Sequence, residues 1–317
     1  MGKIIELAKN LYLETIQVFN SFNIANSKDY KRERLAAELI RNVHSIEKGL
    51  SIKNIRPGFG HKKQQEMLRI MSELKNVKSD YCQSAIKMAA AAISAYISYN
   101  DSIEYHDDFI DNMREEIKEY ITENSDVNMG GAKDLFRSHM DFDINEIEKM
   151  FYTRHSIRDF EETPVDLNLI MKSIKLAQTC PSACNRQGVR VYVYTPDKAE
   201  ILKRWLVGIG GFEDDIGAFI LVTGKQSAYR QDERYQYIVS SSMFAAYLTL
   251  TLHTYGLGAC VIQRPVITNK AWKTAQKELG IPKDEQAICM LGVGNLQEQC
   301  KVPVSYRLSE DIITTIK

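Results

Sequence analysis

Apolar residues recur at helical intervals through the first part of the chain. Leu35, Leu39, Val43 and Ile46 fall on one face at three- and four-residue spacing. Gly49 follows as the residue expected to close that helix. Ile110, Met113, Ile117 and Tyr120 repeat the pattern, and residues 84–97 are Ala-rich with interspersed Ile, Met and Tyr, as a buried helix requires. Residues 1–135 are therefore predicted to be helical. The two glycines of Asn128-Met129-Gly130-Gly131 break a polar run and mark a boundary.

Beyond the boundary the pattern changes. Val189–Tyr194 (VRVYVY) alternates and is β-branched, which predicts a strand. Residues 218–222 (AFILV) and 287–292 (AICMLG) read as buried strands. Helices are predicted at 144–151, 166–179, 197–206, 233–254 and 268–279. Helices interleaved with buried strands imply a sheet domain of α/β or α+β class over residues 136–317.

Composition narrows the classes. The 317 residues hold 41 Lys+Arg and 41 Asp+Glu, and this zero balance argues against a nucleic-acid binder. The charge is nevertheless segregated. Residues 31–63 carry nine Lys/Arg against three Asp/Glu, and residues 101–126 carry two against ten. Two readings follow: solvated faces that attract one another, or a basic stretch (Arg41, His44, Lys48, Arg56) turned toward an anionic ligand.

The most apolar stretch, 237–252, contains several Ser and Thr and is shorter than the ~20 apolar residues that a bilayer needs. The first twenty residues mix Lys3, Glu6, Lys9 and Glu14 into apolar positions, unlike a secretory signal, and Glu6 stands where a myristoylation motif needs Ser or Thr. Six cysteines without CxxC spacing predict reduced thiols and a cytoplasmic protein. The six histidines show no metal spacing. There is no P-loop, GxSxG or HExxH motif, and Gly208–Gly211 lacks the spacing and preceding strand of a dinucleotide turn.

Four segments carry candidate chemistry. In Arg154-His155-Ser156-Ile157-Arg158-Asp159-Phe160 an extended chain would project Arg154, Ser156 and Arg158 to one side. Four residues at ~3.3 Å each place Arg154 and Arg158 about 13 Å apart, a reach suited to a ligand with a phosphate at one end and a polar ring at the other. A solvated charged turn is the alternative. Pro181-Ser182-Ala183-Cys184-Asn185-Arg186-Gln187 offers groups that donate and accept at once. Gly256-Leu257-Gly258 follows the long predicted helix, as a cap leading into a strand would. Gly292-Val293-Gly294 precedes Val302–Arg307, with Arg307 a further cation. Cys180 and Cys184 flank the second segment and are read as structural thiols. Tyr229–Tyr237 is either a polar rim or an exposed helix start.

In this order, the four segments over residues 143–317 resemble the nitroreductase family of FMN enzymes, with its R-[RH]-S-[IV]-R-x-F start, P-S-x-x-N-x-Q loop, G-L-G and late Gly-rich strand followed by Arg. Residues 1–135 carry no such signature. The resemblance implies an α+β sandwich with a mixed central sheet, FMN bound at a homodimer interface, and hydride transfer from NAD(P)H through the flavin to an electron-poor small molecule. It implies that Arg154 and Arg307 bind the phosphate beside His155 and Ser156. Arg158 would lie near flavin N1/O2, while Pro181, Ser182, Asn185 and Gln187 line the ring from the partner chain. Gly256 and Gly258 would allow close approach.

Three departures stand out. Gly188-Val189 replaces the Pro-Trp of many members, Ser305 replaces a Lys of some, and no segment matches the loop that supplies an N–H to flavin N5. Two other readings remain. One is a specialised flavin enzyme, such as a reductive dehalogenase or a dehydrogenase of a biosynthetic, polysaccharide-related intermediate. The other is a non-catalytic flavin-binding accessory protein. The N-terminal helices are expected to cover part of the active-site mouth and restrict the acceptor.

Overall fold

A computed structural model describes residues 2–121, 127–206, 208–262 and 269–317. Five helices come first: α1 (Gly2–Asn26), α2 (Lys31–Leu50), α3 (His61–Leu74), α4 (Asp80–Ser102) and α5 (Asp108–Ile117). The predicted stripe on α2 is buried, with Leu39, Val43 and Ile46 at 0 % exposure, and it packs with Met67, Ile70, Tyr96 and Ile110 into one core. Each such side chain contributes about 1.5–3 kcal/mol by leaving water. Gly49 lies inside α2 rather than beyond its end, and it is a packing glycine: a Cβ there would meet the Phe59 ring at 2.2 Å. Gly130 is likewise a packing glycine: a Cβ would meet the Met88 carbonyl at 2.6 Å, so the 128–131 turn is pressed onto α4.

The segregated charges are neutralised in part: Arg41 pairs with Glu38, Lys31 with Glu73, and Arg114 with Asp101. His61–Asp107 at 3.2 Å joins the basic and acidic stretches directly. Residues 122–126 of the acidic stretch lie outside the described residues. Arg34 caps the end of α1 by donating to the Ile24 and Ser27 carbonyls at 2.9 and 2.8 Å.

The second part contains α6 (Ile144–Thr153), α7 (Leu167–Ala177), β1 (Val189–Tyr194), α8 (Glu200–Lys203), β2 (Ala218–Lys225), α9 (Gln236–Thr254), β3 (Leu257–Ile262), α10 (Asn269–Leu279), β4 (Glu285–Asn295) and α11 (Glu310–Ile313). The sheet order is β1-β2-β4-β3. The fold is α+β, as predicted.

The sheet is less mixed than expected. All pairings between the named strands are antiparallel, and the parallel component is the single bridge Ser156–Ala259. It stays that short because the chain then crosses to bridge Leu296 in the antiparallel sense at Phe160. The helix predicted at 197–206 is only α8 after a 3₁₀ turn, with Gly208 and Gly211 in left-handed conformations just beyond. The start of the predicted 268–279 helix, residue 268, lies outside the described residues.

β2 is buried along its whole length, since both sheet faces are covered. Ile157, Phe160, Leu202 and Trp272 pack on one face, and Ile170, Phe244 and Leu248 from α7 and α9 pack on the other. α9 buries Ser240, Phe244 and Leu248 but leaves Ile238, Val239, Met243 and Tyr247 outward, 37–51 % exposed. Among the described residues no helix is long and apolar enough to cross a membrane, and no side-chain group could hold a metal.

Candidate functional site

The arginine segment is extended, as predicted. α6 stops at Thr153, whose hydroxyl meets His253 Nε2 at 2.8 Å, and Arg154 takes extended angles (φ −73°, ψ 113°). Ile157 N–H donates to the Ala259 carbonyl and Glu161 N–H to that of Asn295, both at 3.1 Å. Burial of Ile157 and Phe160 anchors the strip, while Arg158 is exposed and Arg154, His155 and Ser156 are half-buried. Among the described residues neither Arg154 nor Arg158 has an ion-pair partner; Arg158 makes only a 3.5 Å contact to the Ser156 carbonyl.

His253 ends the last turn of α9 beside them. Burial holds its pKa below the usual imidazole value, and the charges of Arg154 and His155 lower it further. The Arg154 guanidinium, whose charge adds to the effect of burial on His253, favours an anion. This donor set therefore fits a phosphate.

The second segment is a strained loop. Cys184, Asn185 and Gln187 all have left-handed backbones, with φ of 51°, 52° and 50°. For residues other than glycine each costs of order 1–3 kcal/mol, so the surroundings must enforce them. Ser182 Oγ accepts from Gln187 N–H at 3.2 Å, and Ser240 Oγ of α9 accepts from Ala183 N–H at 3.3 Å. Arg186, 1 % exposed, ties the loop down. Its Nε donates to the Ala183 carbonyl at 3.0 Å, its two terminal nitrogens each meet the Glu233 carboxylate at 2.7 Å, and its guanidinium stacks 4.5 Å from the Tyr229 ring. Hydrogen bonding from Arg186 holds the Glu233 carboxyl below its ordinary pKa.

The Tyr229–Tyr237 stretch leads into α9 with Arg230, Gln231, Asp232, Arg234 and Tyr235 exposed, while its two ends turn inward. Tyr229 and Tyr237 are buried at 4 % and 1 %, and they pack against Ala37 of α2. The N-terminal helices also reach the loop. Tyr81 of α4 donates from its hydroxyl to the Arg186 carbonyl at 3.1 Å, and Arg190 lies 5.2 Å over the Tyr81 ring. Burial pushes the Tyr81 hydroxyl well above the usual phenol range.

Between α4 and the loop lies a cavity of about 660 Å³. Ser182, Asn185 and Gln187 line one side, and Tyr81, Ser84 and Met88 line the other. Pro181 stays on the exposed surface.

The remaining predicted residues are spread more widely. Gly256 (φ +76°) closes α9 and Gly258 packs against Ile157 and Leu296, a cap and a strand contact. Arg307 lies on the exposed tail 301–317, with no hydrogen bond or ion pair among the described residues. The loop sits by Ser240 and Arg154 by His253, so they flank opposite ends of α9. Thirteen residues at 1.5 Å separate those ends by about 20 Å. No motif pointed to Arg186, Glu233, Tyr81 or His253. Only their neighbours in the fold give them a role.

The nitroreductase family model matches residues 152–210. No curated protein matches. Several solved structures do. A nitroreductase, YdfN, of Bacillus subtilis is 17 % identical over 55 % of this chain and 100 % of its own, with a TM-score of 0.49. A Desulfovibrio desulfuricans nitroreductase in complex with FMN is 17 % identical over 54 % and 96 %, with a TM-score of 0.47. An FMN-dependent nitroreductase of Clostridium difficile is 25 % identical over 49 % and 91 %, at 0.42. The matched stretch contains both the arginine segment and the strained loop. Across it this chain resembles the nitroreductase family, and the match does not extend into the N-terminal helices.

Proposed function

We propose that the protein is an FMN-dependent oxidoreductase, acting as a homodimer, that passes hydride from NADH or NADPH to an electron-poor small molecule. The observation that carries this reading is the pair of guanidiniums at Arg154 and Arg158, which have no ion-pair partner among the described residues, on an extended strip anchored to β3. Arg154, with His155 and Ser156 beside it, would hold the phosphate together with Arg307. Arg158 would face the N1/O2 edge of the ring, where a guanidinium favours the electron-rich form and raises the potential. Bound FMN supplies the hydride chemistry; the chain binds, orients and tunes it.

The spacing along α9 supports a homodimer: two segments about 20 Å apart on one helix would be brought together if a second copy runs α9 the opposite way. The C-terminal end of one α9 then meets the loop of the partner subunit. The outward apolar face of α9, and the tail with Val304 at 87 % and Tyr306 at 86 % exposure, are the surfaces such a pairing would cover.

The division of the chain near residue 135 belongs to the same reading, with helices added to a flavin-binding unit. Six free cysteines accord with a reducing, cytoplasmic setting. The contact of α4 with the loop favours a narrow acceptor range over a broad one.

The test is flavin retention. Arg154→Ala with Arg307→Ala should give colourless protein, where the wild-type chain shows flavin absorption. A double variant as yellow as the wild type overturns the assignment.

A further inference from the structure

We propose that a second cavity, between α1 and α10, binds a small phosphate monoester that carries hydroxyl groups. None of the residues lining it is assigned to the flavin, and the site does not depend on the flavin reading. Its volume of about 690 Å³ is that of a small-molecule site. Asn20, Asn23 and Ile24 of α1 line one side, and Lys273, Gln276 and Lys277 of α10 line the other. The turn that carries Gly280 and Lys283 completes it.

The charge of the lining has one sign. Among the described residues, its charged side chains are Lys273, Lys277 and Lys283, and none of them has an ion-pair partner. Lys273 and Lys277 stand one turn apart on α10, where like charges repel. The neighbouring acids are committed elsewhere: Glu278 to Arg204 at 3.8 Å and Asp284 to Lys225 at 3.1 Å. On α1 no acid follows Glu14, which accepts from the Tyr235 hydroxyl. Glu285 is buried and accepts from the Thr223 and Tyr192 hydroxyls, so its charge offsets one lysine. The excess that remains, two positive charges, matches the charge of about −1.5 to −2 on a phosphate monoester near neutral pH.

The neutral polar groups specify the rest of the ligand. They are the carboxamides of Asn20, Asn23, Gln226, Gln276 and Gln286. A carboxamide donates and accepts, as hydroxyls do, so this lining suits a polyol. Gln276 serves the wall itself: it is 6 % exposed, and its Nε2 donates to the Pro282 and Glu285 carbonyls, which holds the turn against α10. The other four are at least partly exposed. Trp272, the aromatic residue of the lining, is 4 % exposed and gives its indole N–H to the Glu285 carbonyl at 3.2 Å. Little ring is left for a nucleobase to stack on, which favours a sugar-type phosphate over a nucleotide.

The test is calorimetry on the full-length protein with glucose 6-phosphate, glucose and adenosine monophosphate. Only binding that is lost in the triple variant Lys273→Ala, Lys277→Ala, Lys283→Ala is counted, so a phosphate held at the arginine segment does not enter. Glucose 6-phosphate should bind, and the triple variant should weaken it by about tenfold or more, the worth of three exposed pairs acting together. Added salt should weaken it as well. Glucose should not bind detectably. Adenosine monophosphate should bind about fivefold more weakly, the worth of one lost hydrogen bond. Asn23→Trp, which fills the cavity from an exposed position on α1, should abolish binding with the lysines intact. Lys62→Ala, exposed on α3, is the control. Slower amide exchange at residues 20–24 and 272–281 on binding places the ligand in this cavity.

No lysine-dependent binding of glucose 6-phosphate, equal binding of glucose, tighter binding of adenosine monophosphate, or an Asn23→Trp protein that binds normally overturns the proposal. Lysine-dependent binding by colourless protein upholds it, because the site takes nothing from the flavin.

Discussion

Replacing Glu233 by Gln should destabilise the protein far more than a surface charge deletion would. Arg186 has a side chain 2 % exposed, and Glu233 is 29 % exposed. Gln keeps the shape and one acceptor but removes the charge, leaving a buried guanidinium without its counter-ion. Breaking a buried pair in this way costs about 3–5 kcal/mol, and the partial exposure of Glu233 places the expected loss at the lower end, about 3 kcal/mol. For a unit of this size that is about 6–12 °C in Tm. Thermal melts followed by circular dichroism, with urea unfolding as the second measure, read it directly.

Acid adds a further check. The Glu233 carboxyl is held below its ordinary value by Arg186, so its stabilisation is complete above the usual carboxylate pKa and disappears as pH falls through the depressed one. The gap between wild type and Glu233→Gln should therefore close on acidification below about pH 4.5. A double change, Arg186→Met with Glu233→Leu, should lose less than either single change. A Glu233→Gln protein melting within about 1 °C of wild type refutes the reasoning.

Other outcomes follow from the packing. Gly294→Ala should lower stability by about 1–3 kcal/mol, because its Cβ would lie 2.5 Å from the Phe160 ring; urea midpoints measure it. In the proposed homodimer the exposed Val304, Tyr306 and Ile316 would meet a second copy, so deleting residues 301–317 should give a monomer in light scattering. His253 has a lowered pKa in the fold, so the fold binds fewer protons than the unfolded chain as pH falls through about 6.5 and is destabilised there; His253→Gln should flatten the stability profile between pH 5 and 7. Arg34→Ala should fray the end of α1 at a cost of about 1 kcal/mol per lost hydrogen bond, seen as faster amide exchange near Asn26.

Periodicity exposed the elements that bury a regular face. The α2 stripe and the β1 alternation were legible because hydrophobic spacing is a local property. Residues 197–206 misled, because a helical pattern there is cut short by two left-handed glycines just beyond it. The extended course of Arg154–Phe160 was readable from its flanks, whereas its attachment to β3 and β4 was not. Within the loop, Ser, Asn and Gln drew notice as polar groups, yet Arg186 organises it, and its partners lie 47 positions along the chain and on α4. Such roles depend on which distant residues meet, and no spacing encodes that.

The pairing of Ser156 with β3 has a consequence for solubility. β3 ends the sheet, and an uncovered terminal strand offers a row of free amides and carbonyls to any other chain. Here the extended strip that follows α6 meets that row through Ile157 and flanks it with charged Arg158 and Asp159. Substitutions that loosen the strip would then be seen first as edge-to-edge aggregation, and a bound ligand that tightens it would act as a guard against self-association.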